Sequence, residues 1–285
     1  MTKAVRVHKV GGPEVLTYED VEVGAPGTGE VRIRQHAVGL NFIDVYFRTG
    51  LYKAPGLPFI AGNEAAGEVL AVGPGVTNFH PGDRVAYYYN LGGYASERVI
   101  PADKLVKLPD HITYEQGAVL MLKGLTVWYL LHKTFKVEQG HRVLIHAAAG
   151  GIGLLACQWA RALGAHVIGT VGSKAKADLA LANGCDHVIL YNEENFVERV
   201  KQISRGELCD VVYDASARPR SRDRYRASGR AACSSRSATP RARCRRSRSP
   251  SSTTTARCSR RGRSSTIMSA PARNCSKAPT RCSPP

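Results

Sequence analysis

The large apolar side chains that could build a core all but vanish at residue 217. From Arg218 to Pro285 there is no Leu, Val, Phe or Trp, while the segment carries 18 Arg, one Lys (Lys277) and one acid (Asp223). Such a composition cannot bury enough apolar surface to offset the entropy of ordering its backbone, so residues 217–285 are expected to be disordered. Any core belongs to the first 217 residues. The formal charge of +17 has the same origin: the tail contributes +18 and leaves 21 basic against 22 acidic residues before it, a net −1.

Two readings of the tail compete. As an authentic arm, stretches such as RARCRRSRSP (241–250) would neutralise phosphates on nucleic acid. As an artefact, it is what a GC-rich gene yields when read out of frame. The break falls just after CDVVYDA (209–215), midway through an alternating strand and helix pattern, and no aromatic interleaving or zinc-finger spacing accompanies the arginines. A frame slip near residue 216 is therefore the favoured reading. Cys233, Cys244, Cys258, Cys275 and Cys282 lie in this tail, whereas Cys157, Cys185 and Cys209 sit singly in apolar runs. Those three are expected to be buried free thiols in a reducing compartment. No signal-peptide-like run opens the chain and no eighteen apolar residues follow one another, which predicts a soluble cytoplasmic protein without a membrane span.

The opening 110 residues read as strands separated by turn chemistry. KAVRVHKV, VLTYEDVEV, EVRIRQHAVGL, AAGEVLAVG, DRVAYYY and ASERVI alternate with GGPE, APGTGE, GPGVTNFHPGD and LGG. From Tyr114 the period becomes helical. Beyond it four strands (RVLIHA, HVIGTV, DHVIL, CDVVYDA) alternate with three helices (GIGLLACQWARALG, KAKADLALANG, NFVERVKQI), the pattern of a doubly wound parallel sheet cut off at its fourth strand. The predicted fold is α/β: a β-rich domain over 1–124, the first half of a Rossmann-type domain over 125–216, and the aberrant tail over 217–285.

Strand RVLIHA runs into Ala148-Ala149-Gly150-Gly151-Ile152-Gly153 and then an apolar helix. This matches G-x-G-x-x-G with Ala148 in the first position. A tight strand-to-helix turn alone would use such glycines, but the second strand at the expected distance points to a dinucleotide, its pyrophosphate on the helix N-terminus. At the end of that second strand an NAD-selective site places an acid for the ribose 2′-hydroxyl. Here Thr170-Val171-Gly172-Ser173-Lys174 has none before Asp178. Ser173 and the cations Lys174 and Lys176 suit a 2′-phosphate, so the expected cofactor is NADPH. The alternative for the lysines is a solvated helix start.

HAAAGGIGLLACQWARALGAHVIGTVGS, together with GLNFIDVYFRTGLY, AGNEAAGEV and LKGLTVWYLLHKT, resembles the zinc-free, zeta-crystallin-like quinone oxidoreductases of the medium-chain dehydrogenase/reductase superfamily over about residues 1–216. The resemblance implies a GroES-like first domain, an NADPH-dependent enzyme and a homodimer. Zinc-dependent relatives take ligands from a Cys and a His where this chain has Asn41 and Asn63. No cluster of four Cys precedes Cys157, so a metal-free enzyme is expected. Without a Lewis acid, a quinone or other conjugated carbonyl is an easier hydride acceptor than a simple ketone, and no single acid or base is required.

Residue by residue, the resemblance places Asn41, Phe42 and Tyr46 beside the nicotinamide, with Thr126 and Tyr129 on a helix lining its far side. It places Gly151, Ile152 and Gly153 at the pyrophosphate, Gly172, Ser173 and Lys176 at the 2′-phosphate, and Tyr191 at the adenine. Tyr46 and Tyr52 would line the acceptor pocket. For these tyrosines, half-buried packing is the plain alternative. Asp44 and Glu64 are expected to be structural hydrogen-bonding acids. The chain as written is expected to fold poorly, with an open edge beside its fourth strand, and to turn over little or nothing. Competing readings are an enoyl or enone reductase on the same scaffold, a nucleic-acid-binding protein acting through the tail, and a non-catalytic NADPH-binding protein.

Overall fold

The computed structural model describes residues 1–88 and 90–214, and the backbone alone of 228–234 and 244–246. The remainder of the tail, and with it most of the expected disorder, lies outside the described residues.

The first half is built almost wholly of strands. β1 (Thr2–Val7) pairs antiparallel with β2 (Leu16–Val21) and with β4 (Phe59–Ile60). β3 (Glu30–Gly39), β5 (Glu64–Val72), β6 (Arg84–Tyr88), β7 (Glu97–Pro101) and β8 (Leu105–Lys107) form a second sheet in the order β7-β3-β5-β6-β8. Alternation explains the core here: Val31, Ile33, Val69, Val85, Tyr87 and Ile100 point inward and are fully buried, while intervening charged residues face out. Helix α1 (Phe42–Arg48) follows β3 directly, started by a reciprocal capping box between Asn41 and Asp44.

Helix α2 (Tyr114–Trp128) starts at Thr113, whose hydroxyl accepts from the Gln116 amide, and continues through a π-helical turn over Tyr129–Thr134. It packs on β3, β5 and β6 and also on the first helix of the second half, so the boundary expected at residue 124 falls inside an element that touches both halves. Among the described residues, no helix is long and apolar enough to cross a membrane.

The second half alternates β9 (Arg142–His146), α3 (Gly151–Ala162), β10 (His166–Val171), α4 (Lys174–Ala182), β11 (His187–Leu190), α5 (Phe196–Ile203) and β12 (Cys209–Asp214). Strands β9 to β12 pair in parallel, with β9 between β10 and β12. Because helices cover both faces, these strands read as near-continuous apolar runs. One cluster of buried residues, including Val143, Ile145, Val167 and Val211, packs beneath α3. A second, including Leu144, Ile168, Ile189 and Val212, packs beneath α5.

The sheet continues past the fourth strand, where the sequence predicts an open edge. The backbone of β13 (Ser228–Ser234) pairs in parallel with β12, and β14 (Cys244–Arg246) pairs antiparallel with β13, giving the order β11-β10-β9-β12-β13-β14. The physical reason is that β pairing joins backbone groups: an open row of N–H and C=O groups on β12 accepts a strand of almost any small-residue sequence. The open edge expected beside β12 is therefore occupied by the backbone of β13.

Candidate functional site

Three segments carry the expected site residues, and α2 touches the first and the third of them. The first is the turn after β9. Gly150 caps α3 in extended geometry (φ −82°, ψ 167°), so the free N–H groups of Gly151, Ile152 and Gly153 lie at the helix N-terminus. Gly153 is needed for the turn to close: a Cβ there would lie 2.3 Å from the Ala147 carbonyl oxygen and 2.6 Å from that of Ala148.

The second segment is the end of β10. Gly172 lies under Tyr191, whose hydroxyl would stand 2.7 Å from a Cβ at that position, and the Asn192 amide donates to the Gly172 carbonyl at 2.9 Å. Ser173 caps α4 without spending its hydroxyl on the helix, and the first turn of α4 holds no acid. Among the described residues Lys174 and Lys176 are exposed and have no carboxylate partner. The strand end thus pairs a free hydroxyl and two cations with a tyrosine, a donor set that fits a phosphorylated ribose and an adenine.

The third segment belongs to the first half. Asn41 Nδ2 donates to Glu64 Oε2 at 2.8 Å, and the Leu122 amide of α2 donates to Glu64 Oε1 at 2.7 Å. Asn63 Nδ2 donates to Asp44 Oδ1 at 2.8 Å, and the Tyr94 hydroxyl donates to Asp44 Oδ2 at 2.7 Å. The two asparagines at the zinc-ligand positions are therefore engaged with buried carboxylates. Neither carboxamide matches the thiolate and imidazole that such a zinc site requires. Burial raises the Glu64 carboxyl above its ordinary value, against the opposing pull of the Leu122 amide, Asn41 and Lys123. Burial and the neighbouring Asp44 likewise push the Tyr94 phenol upward. The reading of Asp44 and Glu64 as structural acids agrees with these contacts.

Lys123, which lies in LKGLTVWYLLHKT but to which the sequence assigns no role, links the first and third segments. Its Nζ approaches Asn41 Oδ1 at 3.3 Å and the Val119 carbonyl at 3.4 Å, while its Cε lies 2.9 Å from where a Cβ on Gly151 would be. One side chain of α2 thus runs from the glycine turn to the asparagine of the first half. Its sequence signal is its isolation, as the only Lys or Arg between residues 114 and 132.

The remaining expected residues divide. Tyr46 and Tyr52 meet with ring centroids 5.3 Å apart, and the Tyr52 amide donates to the Tyr46 carbonyl. Phe42 is 80% exposed on α1 and Tyr129 is half-buried in the π-helical turn. Thr126 turns its hydroxyl back to the Leu122 carbonyl at 2.8 Å, so that group is engaged by its own helix. Gly151, Ile152 and Gly153 lie together, as do Gly172, Ser173, Lys176 and Tyr191.

Known proteins are similar to this chain in sequence and fold. Residues 27–110 match the alcohol dehydrogenase GroES-like domain and residues 151–232 the zinc-binding dehydrogenase family. A quinone oxidoreductase of Pseudomonas aeruginosa is 53% identical over 216 residues, 75% of this chain and 66% of that protein. A 2-haloacrylate reductase of a Burkholderia species is 48% identical, again over 75% of this chain and 66% of the relative. The crystal structure of Escherichia coli quinone oxidoreductase complexed with NADPH superposes with a TM-score of 0.77 at 48% identity, covering 80% of this chain and 70% of that one. The chain spans about two thirds of the length of the curated relatives it matches. With both domains of the fold, the glycine turn and asparagines in place of the zinc ligands, the chain belongs to the zinc-free quinone oxidoreductases of the medium-chain dehydrogenase/reductase superfamily.

Proposed function

We propose that this chain descends from an NADPH-dependent, zinc-independent oxidoreductase that reduces quinones by hydride transfer, and that the 285 residues as written turn over little or nothing. The observation that carries the cofactor reading is the acid-free end of β10, with Ser173, Lys174 and Lys176 at the start of α4, one strand from the glycine turn. Bound NADPH would supply the hydride from its nicotinamide. The N–H groups of Gly151, Ile152 and Gly153 would donate to the pyrophosphate, Ser173 and Lys176 would hold the 2′-phosphate, and Tyr191 would border the adenine. Asn41, fixed by Glu64 and Lys123, and Tyr46 with Tyr52 would wall the acceptor side, so that catalysis rests on positioning and exclusion of water. Inactivity follows from the tail, whose composition, without Leu, Val, Phe or Trp, offers little apolar surface to close the cleft.

A second reading, reduction of an activated alkene, is favoured by the 48% identity to a protein named 2-haloacrylate reductase. Turnover on quinones against enones and enoyl thioesters separates the two. Sequencing the coding DNA across codons 205–230 tests the frame slip. An inserted or missing base that restores an aliphatic-rich frame supports it, while an intact frame returns the tail to the status of a genuine basic arm. The homodimer and a cytoplasmic location belong to the same proposal, and the dimer is tested by sedimentation.

A further inference from the structure

The second half contains a pair of thiols that the cofactor site does not use. Cys157 lies in the second turn of α3 and Cys185 in the turn that leads from α4 into β11, and their sulfurs are 3.3 Å apart. Both are reduced and nearly inaccessible, at 0% and 4% exposure. The site is tightly built: a Cβ on Gly169 of β10 would fall 2.7 Å from Cys185 Sγ, so the sulfur rests on a bare strand backbone. The Cys185 amide is held by the Ala180 carbonyl, and the Gly184 Cα lies against the Cys157 backbone.

We propose that Cys157 and Cys185 form a redox-active dithiol that a small two-electron oxidant, such as a hydroperoxide, closes to a disulfide joining α3 to the turn before β11. With hydrogen peroxide, the thiolate of one cysteine attacks a peroxide oxygen and breaks the O–O bond, leaving a sulfenic acid while the departing hydroxide takes up a proton as water; an alkyl hydroperoxide releases its alcohol at this step instead. The second thiol displaces the sulfenic oxygen as a second water, so two thiols lose two electrons and two protons to one hydroperoxide. Cys185 is suited to the first step. The neighbouring thiol's hydrogen bond holds it below the ordinary thiol value and pushes Cys157 above it. The contact sets the order of partners: each sulfur touches the other, so a sulfenic acid on either is resolved before a distant thiol can reach it. The bond would tie down the helix whose N-terminus carries the glycine turn.

The test treats the folded 285-residue chain with hydrogen peroxide, blocks remaining thiols under denaturing conditions, and maps non-reduced tryptic peptides. Trypsin places Cys157 in residues 143–161 and Cys185 in residues 177–199. The expected product is these two peptides linked, released by dithiothreitol, at several times the yield of any pairing with the five tail cysteines. The preference should disappear when the oxidation is run in guanidinium, and Cys185→Ala should leave Cys157 alkylatable. Recovery of both cysteines alkylated while tail disulfides form, or pairing with tail cysteines as often as with each other, would overturn the proposal.

Discussion

Gly153→Ala is the substitution whose effect the geometry fixes most tightly. The new methyl would stand 2.3 Å from the Ala147 oxygen and 2.6 Å from the Ala148 oxygen, both backbone atoms. Ordinary carbon–oxygen contact needs more than 3 Å, so either the turn or the first turn of α3 must move by close to an ångström. Overpacking of this kind costs about 1–3 kcal/mol of stability. Displacing the N–H groups of residues 151–153 also removes charge-assisted hydrogen bonds worth about 1.5–3 kcal/mol, which weakens NADPH binding roughly tenfold to a hundredfold. Gly124→Ala provides the control: it lies in α2 with nothing beyond its own chain neighbours and helix backbone within 4 Å of the new methyl, and gains up to about 1 kcal/mol in helix propensity. Thermal melts and fluorescence titration of NADPH read both effects. If Gly153→Ala melts with the parent chain and binds NADPH equally well, the close approach has been misassigned.

Three further outcomes are expected. Lys176→Ala combined with Lys174→Ala should weaken NADPH binding by about tenfold while leaving NADH unchanged, because only the former carries a 2′-phosphate; equal losses for both cofactors would make these lysines a general surface effect. Lys123→Met should weaken binding of both cofactors with Lys123→Arg restoring part of it, and titration of all three proteins with NADPH and NADH shows whether the cation acts at the glycine turn. Since Glu64 is raised in the folded state, its contribution is full below its unfolded value of about 4.3 and is lost as pH rises through the raised folded value. The stability of Glu64→Gln minus that of the parent should therefore rise with pH across that window, by up to about 1.4 kcal/mol per unit, and a flat or falling difference in denaturant titrations would contradict it.

Much of this was legible because the second half keeps a regular rhythm: RVLIHA, HVIGTV, DHVIL and CDVVYDA are continuous apolar runs of strand length, and the structure places β9 to β12 on them. Helix α1 was not legible. Phe42, Ile43, Val45, Tyr46 and Phe47 are β-branched or aromatic and lack a polar face, and only the Asn41–Asp44 capping box marks the start. The roles of Asn63 and Lys123 were hidden for a different reason. Their partners, Asp44 and Asn41, lie 19 and 82 residues away, and nothing in local spacing announces such contacts. The added strand β13 was missed because its pairing depends on the backbone row offered by β12, while its own sequence, Ser228-Gly-Arg-Ala-Ala-Cys-Ser234, has no strand signature.

Fluorescence titration of the purified chain with NADPH and, in parallel, NADH tests the central claim most directly. The account predicts saturable NADPH binding with NADH weaker by about tenfold or more, the difference coming from the 2′-phosphate at Ser173, Lys174 and Lys176. Equal affinities, tighter binding of NADH, or no binding by a chain shown to melt cooperatively would contradict it.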